Sequence, residues 1–218
     1  MTRTDSYDSR ENEYYLNCGA PLGAPTLRLK WAKAIRWMTV APFPAATLIL
    51  LLYFLKPGAY KNGAHALLAI FFLSVLPLCA YPLSMVIPAI RKKGRDGQRN
   101  LAIACSVLGY IGGCVTSFGF EPALIEKVVY LTYALSGVLI ALFGALHIKA
   151  SGHACGVAGP IAALTYFLSP YYLFGLVLFA AVCASSLRLK RHTLPQLIIG
   201  ACISCASLVL ALYITPIL

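Results

Sequence analysis

Charge is what this chain has least of. Only 11% of its 218 residues are charged, with 7 Asp and Glu against 18 Lys and Arg. A soluble domain carries about a quarter charged residues, so a water-exposed globular fold is excluded. Clustered metal ligands are also missing. No second Cys-x-x-Cys accompanies Cys202 and Cys205, and the four histidines, His65, His147, His153 and His192, stand far apart, so spacing implies no metal. Nor do these histidines pair at matching membrane depths, which weighs against a haem-binding cytochrome. The first residues lack a basic start leading directly into a short apolar core with a cleavage site, so no signal peptide is expected. No internal repeat is visible.

What is there instead is apolar length. Hydrophobic residues make up 60% of the chain, gathered into the stretches Ala34–Leu55, His65–Ile90, Leu101–Phe120, Val128–Leu146, Ala154–Ser169, Tyr171–Leu187 and Leu197–Leu218. Most approach the roughly 20 residues that span a bilayer. The expected fold is all-α, a polytopic membrane bundle of six to seven transmembrane helices, with the two stretches flanking Pro170 short enough to be tilted, kinked or partly spanning. Residues 1–27 read as a disordered polar tail rich in Gly and Pro between Gly19 and Pro25, and residues 28–218 as the membrane domain. The net charge of +11 sits beside the helix ends, where it reports topology and anionic lipid headgroups, not nucleic acid. Arg28, Lys30, Lys33 and Arg36, interleaved with Trp31 and Trp37, anchor the first span and make that end cytoplasmic.

Seven of the eight cysteines lie in or beside apolar segments and read as small packing residues. Pro42, Pro44, Pro77, Pro82 and Pro88 predict kinks, and glycines such as Gly109, Gly113 and Gly137 predict close helix packing. Glu126 and Lys127 follow Pro122 at a helix start, where a carboxylate is favoured, so they are expected at the interface.

Three polar stretches carry candidate chemistry. Lys92 and Arg99 are seven apart, which on one helix returns both cations to nearly one face. Ser151-Gly152-His153 opens an apolar helix whose first N–H groups and dipole favour an anion. Ser151 caps that helix or donates to a phosphate oxygen, Gly152 admits the ligand to the backbone, and His153 can protonate a departing oxygen. His192 and Gln196 are four apart; with a helix starting near Thr193, the Gln196 amide oxygen accepts from one imidazole nitrogen and leaves the other as a nucleophile. Pro195 suits that first turn. Two spans separate the first stretch from the second, and two the second from the third, so all three emerge on one membrane face.

These residues resemble the type-2 phosphatidate phosphatase superfamily of lipid phosphate phosphatases, polyprenyl diphosphate phosphatases and vanadium haloperoxidases, in a divergent prokaryotic branch. The family's motifs Lys-x6-Arg-Pro, Pro-Ser-Gly-His and Ser-Arg-x5-His-x3-Asp read here Lys92-x6-Arg99-Asn100, Ala150-Ser151-Gly152-His153 and Ser185-Ser186-x5-His192-x3-Gln196. The resemblance covers about half the chain. It implies a plasma-membrane enzyme needing neither metal nor other cofactor, whose substrate is a lipid phosphate or isoprenoid diphosphate and whose other partners are membrane lipids. His192 would attack phosphorus to form a phosphohistidine, His153 would protonate the leaving group, and Lys92, Arg99, Ser151 and Gly152 would hold the phosphoryl oxygens. Ser186 stands where the family has arginine, with Arg188 available as a substitute, and Gln196 where it has the carboxylate that orients the nucleophile. Those two departures open the alternative of a catalytically impaired homologue that binds or moves phospholipids. Family sites usually face away from the cytoplasm, whereas the basic anchor and helix count place this one inside, where prenyl diphosphates are made.

Overall fold

The computed structural model describes residue 31, residues 34–35 and residues 39–215. The expected tail over 1–27 and most of the basic anchor lie outside the described residues. The described chain is helical: α1 (Pro42–Leu55), α2 (Gly63–Val86), α3 (Pro88–Lys92), α4 (Gly94–Gly119), α5 (Leu124–Ala145), α6 (Gly152–Phe167), a 3₁₀ turn (Pro170–Phe174) leading into α7 (Gly175–Arg188), and α8 (Leu194–Ile214). Five segments are long and apolar enough to cross a membrane: α2, Gly97–Gly119 of α4, α5, Pro170–Arg188, and α8. The outward surface agrees, since Val115, Phe174 and Tyr213 are 72%, 81% and 84% exposed. Large apolar side chains that face outward in this number need lipid around them. The protein is an integral membrane helical bundle.

The prolines explain why the described helices differ from the apolar stretches. Pro42 and Pro88 do not kink helices; they start α1 and α3, where a missing N–H costs nothing. That leaves α1 with 14 residues, about 21 Å of helix. It reaches only part of the way along its neighbour, and Ser74 in the middle of α2 donates to the Pro42 carbonyl at 2.7 Å. Pro77 and Pro82 do interrupt α2, which passes through a π turn at Phe71–Val75 and breaks again at Cys79. Pro170 separates two helices of opposite direction: Gly175 and Val182 of α7 meet Ile161 and the Val157–Ile161 face of α6 in that order.

Helix directions then sort the loops into two ends. One end carries the α1–α2 and α4–α5 connections, tied where Lys61 donates to the Phe120 carbonyl at 3.2 Å and pairs with Glu121 at 3.5 Å. The other carries the starts of α4, α6 and α8 and the ends of α2, α5 and α7. There Gln98 donates to Ser84 at 3.2 Å, and the Ser151 N–H donates to the Gln196 carbonyl at 2.9 Å. Within the bundle α5 is central, packed by α4 and α8. Glycines set the α2–α4–α5 spacing: a methyl at Gly113 would lie 2.7 Å from Phe72 Cβ and 2.8 Å from the Tyr130 ring.

Gly113→Ala should therefore destabilise by about 1–3 kcal/mol through overpacking, although alanine is the better helix former. Gly119→Ala, where a methyl meets nothing within 4 Å, should leave stability unchanged. Thermal unfolding of the detergent-solubilised protein separates the two.

Candidate functional site

The start of α6 forms as its sequence predicts. Ser151 is the N-cap, and its hydroxyl accepts from the Ala154 N–H at 3.3 Å. It is fully buried, while Gly152 beside it is exposed and His153 half-buried. A methyl built on Gly152 meets no atom within 4 Å. Gly152 thus borders open space at the positive end of the dipole of a 16-residue helix, where the first N–H groups lie ahead of any intrahelical acceptor.

The start of α8 forms as expected too. Thr193 is the N-cap and Pro195 sits in the first turn. Gln196 folds back so that its Oε1 lies 3.1 Å from His192 Nδ1 and 3.4 Å from the Thr193 N–H. The Thr193 N–H can only donate, which sets the amide oxygen on that side, and an oxygen there suits the tautomer with its proton on Nδ1 and its lone pair on Nε2. His192 is half-buried.

These two helix starts are locked together. Besides the Ser151–Gln196 backbone bond, Gly200 approaches the Ser151 peptide so closely that a Cβ there would overlap the Ser151 carbonyl oxygen. Gly200 was not evident as a site residue; its signal is position, four residues after Gln196 on the same helix face. Ser151, Gly152, His153, His192 and Gln196 are therefore brought to one place by direct contact between α6 and α8.

Lys92 and Arg99 are placed differently from expectation. They do not share a helix. Lys92 ends α3, Arg99 belongs to α4, and Gly94 between them takes φ +60°, a left-handed break that glycine allows. Lys92 is exposed and Arg99 half-buried. Both lie at the same end of the bundle as Ser151, Lys92 on a helix packed against α2 and α4 and Arg99 on one packed against α2 and α5. Arg188 lies on another face from Ser186: Ser186 is fully buried, whereas Arg188, two residues further along α7 and so on nearly the opposite face, is exposed. Arg191 was overlooked. It is half-buried directly before His192, and its backbone N–H donates to the Ser186 carbonyl at 3.0 Å.

At the far end, Glu126 is a helix-start carboxylate as expected, and it is enclosed by protein. It is fully buried and accepts from His65 Nδ1 at 2.9 and 3.1 Å, from Ser117 Oγ at 3.3 Å and from the Ala123 N–H at 3.3 Å. Three donors surround the carboxyl group where lipid could offer none. Nearby, the hydroxyls of Tyr60, Tyr130, Tyr133, Ser136 and Ser207 are buried with no hydrogen-bond partner among the described residues. Each such group costs about 1–3 kcal/mol if left dry.

The class of protein these features define is a helical membrane bundle with a polar site at each end, one of them centred on an anion-favouring helix start beside an oriented imidazole. No family model, no curated protein and no solved structure matches the chain.

Gly200→Ala is expected to force α8 away from Ser151, destabilising the fold by about 1–3 kcal/mol, while Gly152→Ala leaves the thermal midpoint unchanged and weakens only anion binding. Unfolding curves recorded with and without orthovanadate check both.

Proposed function

We propose that the protein is a membrane phosphatase acting on a lipid phosphate or polyprenyl diphosphate through a phosphohistidine. The observation that carries this reading is the Ser151–Gln196 backbone bond of 2.9 Å, because it sets an anion-favouring helix start beside the His192 imidazole that Gln196 orients. His192 Nε2 attacks phosphorus, forming the N–P bond as the bond to the leaving oxygen breaks, and His153 gives that oxygen its proton. Water then attacks the phosphohistidine, passing a proton back to His153 as the N–P bond breaks. Ser151 and the Gly152 N–H hold phosphoryl oxygens, with Lys92 and Arg99 adding positive charge from the same end of the bundle. Arg191, rather than Arg188, fits the missing arginine. In this reading the shorter α1 and α6 join the five long helices as a seven-helix bundle.

A lipid substrate suits a second feature. A cavity of about 290 Å³ between α1, α6 and α7 is lined by Phe43, Pro44, Val157, Ile161, Leu164 and Leu178 among others. Val157 is about 9 Å along α6 from Ser151, so an apolar tail can lie there while its phosphate reaches the helix start.

A neutral Gln196 can orient an imidazole but cannot stabilise its positive charge. This favours, as the second reading, a non-catalytic protein that binds phospholipid. Phosphate release from prenyl diphosphates and phosphatidate, measured with EDTA present, decides between them. The phosphatase reading expects release that His192→Ala abolishes, that orthovanadate inhibits, and that Gln196→Asp raises by roughly tenfold or more. Release no greater than that of His192→Ala across the panel, and unrescued by Gln196→Asp, leaves the lipid-binding reading.

A further inference from the structure

The polar groups inside the bundle form a line. On α5, Glu126, Tyr130, Tyr133 and Ser136 follow at spacings of four, three and three and are all buried, so they share one inward face. Tyr60, from the α1–α2 connection, lies within electrostatic reach of Glu126 and Tyr130, and burial pushes its phenol well above the usual range. Tyr133 in turn reaches Tyr60 and the Cys155 thiol, and Cys155 faces Ser136 and Ser204. Cys155 is buried in the first turns of α6, its N–H donating to the Ser151 carbonyl at 3.0 Å. The line thus runs from His65 at one end of the bundle to one helical turn behind Ser151 at the other.

Five hydroxyls along or beside this line are sealed from the surface and have no hydrogen-bond partner among the described residues. Hydroxyls both donate and accept, and several on one buried face are what a chain of bound waters requires. At its far end stands His65, 9% exposed, with Nδ1 on Glu126 and Nε2 on the other side of the ring. Lys56, Lys61, Glu121 and Lys127 are the charged side chains around that end, Lys61 and Glu121 paired with each other.

We infer that the bundle holds a file of water along this face, and that His65 and Glu126 admit protons to it from the membrane side opposite the phosphate site. A proton added at Nε2 displaces the one at Nδ1 onto the Glu126 carboxylate, which passes it to water beside Tyr60 and Tyr130. The file leads it past Tyr133 to Cys155. The inference does not depend on phosphatase activity, and neither does its test.

The test uses Tyr133→Phe, which removes one hydroxyl and keeps the ring. If that hydroxyl binds water, its loss lowers the thermal midpoint by about 2–4 °C; if the interior is dry, losing an unsatisfied group leaves the midpoint unchanged or raises it. The second arm follows hydrogen–deuterium exchange of the Cys155 thiol by infrared spectroscopy, with the band assigned by Cys155→Ala. Exchange should be complete soon after transfer to D₂O in the wild type and severalfold slower in Tyr133→Phe and Glu126→Gln. A midpoint that is unchanged or raised, a thiol that stays protonated, or exchange at the same rate in all three proteins overturns the inference.

Discussion

The approach of α8 to the Ser151 peptide is the contact on which the geometry of the Ser151–His192 end depends. Gly200 has no side chain, so its backbone can rest against the Ser151 carbonyl, and at that separation the Ser151 N–H reaches the Gln196 carbonyl at 2.9 Å. One backbone bond between two helix starts fixes their register. Everything polar at this end follows: the α6 cap on Ser151, the exposed first turn at Gly152 and His153, and the His192 imidazole held by Gln196 at 3.1 Å. Because α6 and α8 run parallel and α7 returns between them, both starts fall at the same end without a long connection. The tight turn at Lys190, with φ +46°, brings the chain from Ser186 round to His192 in a few residues.

An apolar solvent requires polar groups to be satisfied within the protein, and side chains here meet that demand in two ways. Thr47, Thr116, Thr132 and Thr165 each return their hydroxyl to the carbonyl four residues back, satisfying it within their own helix. Glu126 cannot be satisfied that way, and α2, α4 and the α4–α5 connection each supply a donor to it. That carboxylate therefore ties three parts of the bundle together at the end opposite His192. The tyrosine and serine hydroxyls of α5 lie between these two ends, so the central helix is polar inward along much of its length while its neighbours present apolar surface outward.

Much of the fold was legible because its causes are local. Apolar length marked the membrane helices, Ser151 and Thr193 marked the starts of α6 and α8, and the four-residue spacing of His192 and Gln196 placed an amide against an imidazole. Prolines were legible as interruptions but not as to kind, because the same residue kinks a helix in its interior and begins one at its first turn; Pro42 shortens α1 by beginning it. The pairing of Lys92 with Arg99 rested on an unbroken helix, and Gly94 breaks it. Arg188 was chosen for its charge, yet two residues of helix turn a side chain to the other face, so Ser186 is buried and Arg188 exposed.

The sequence by itself determined that this is a helical membrane protein and where its polar helix starts lie, because lipid allows no other solution for such apolar length and capping is settled within a single turn. Tertiary structure alone decided which starts meet, that Gly200 is the residue permitting it, and that Glu126 is buried against His65. Those outcomes depend on contacts between residues 45 and more positions apart, such as Ser151 with Gln196 and His65 with Glu126. No periodicity or local spacing encodes which distant helices pack together.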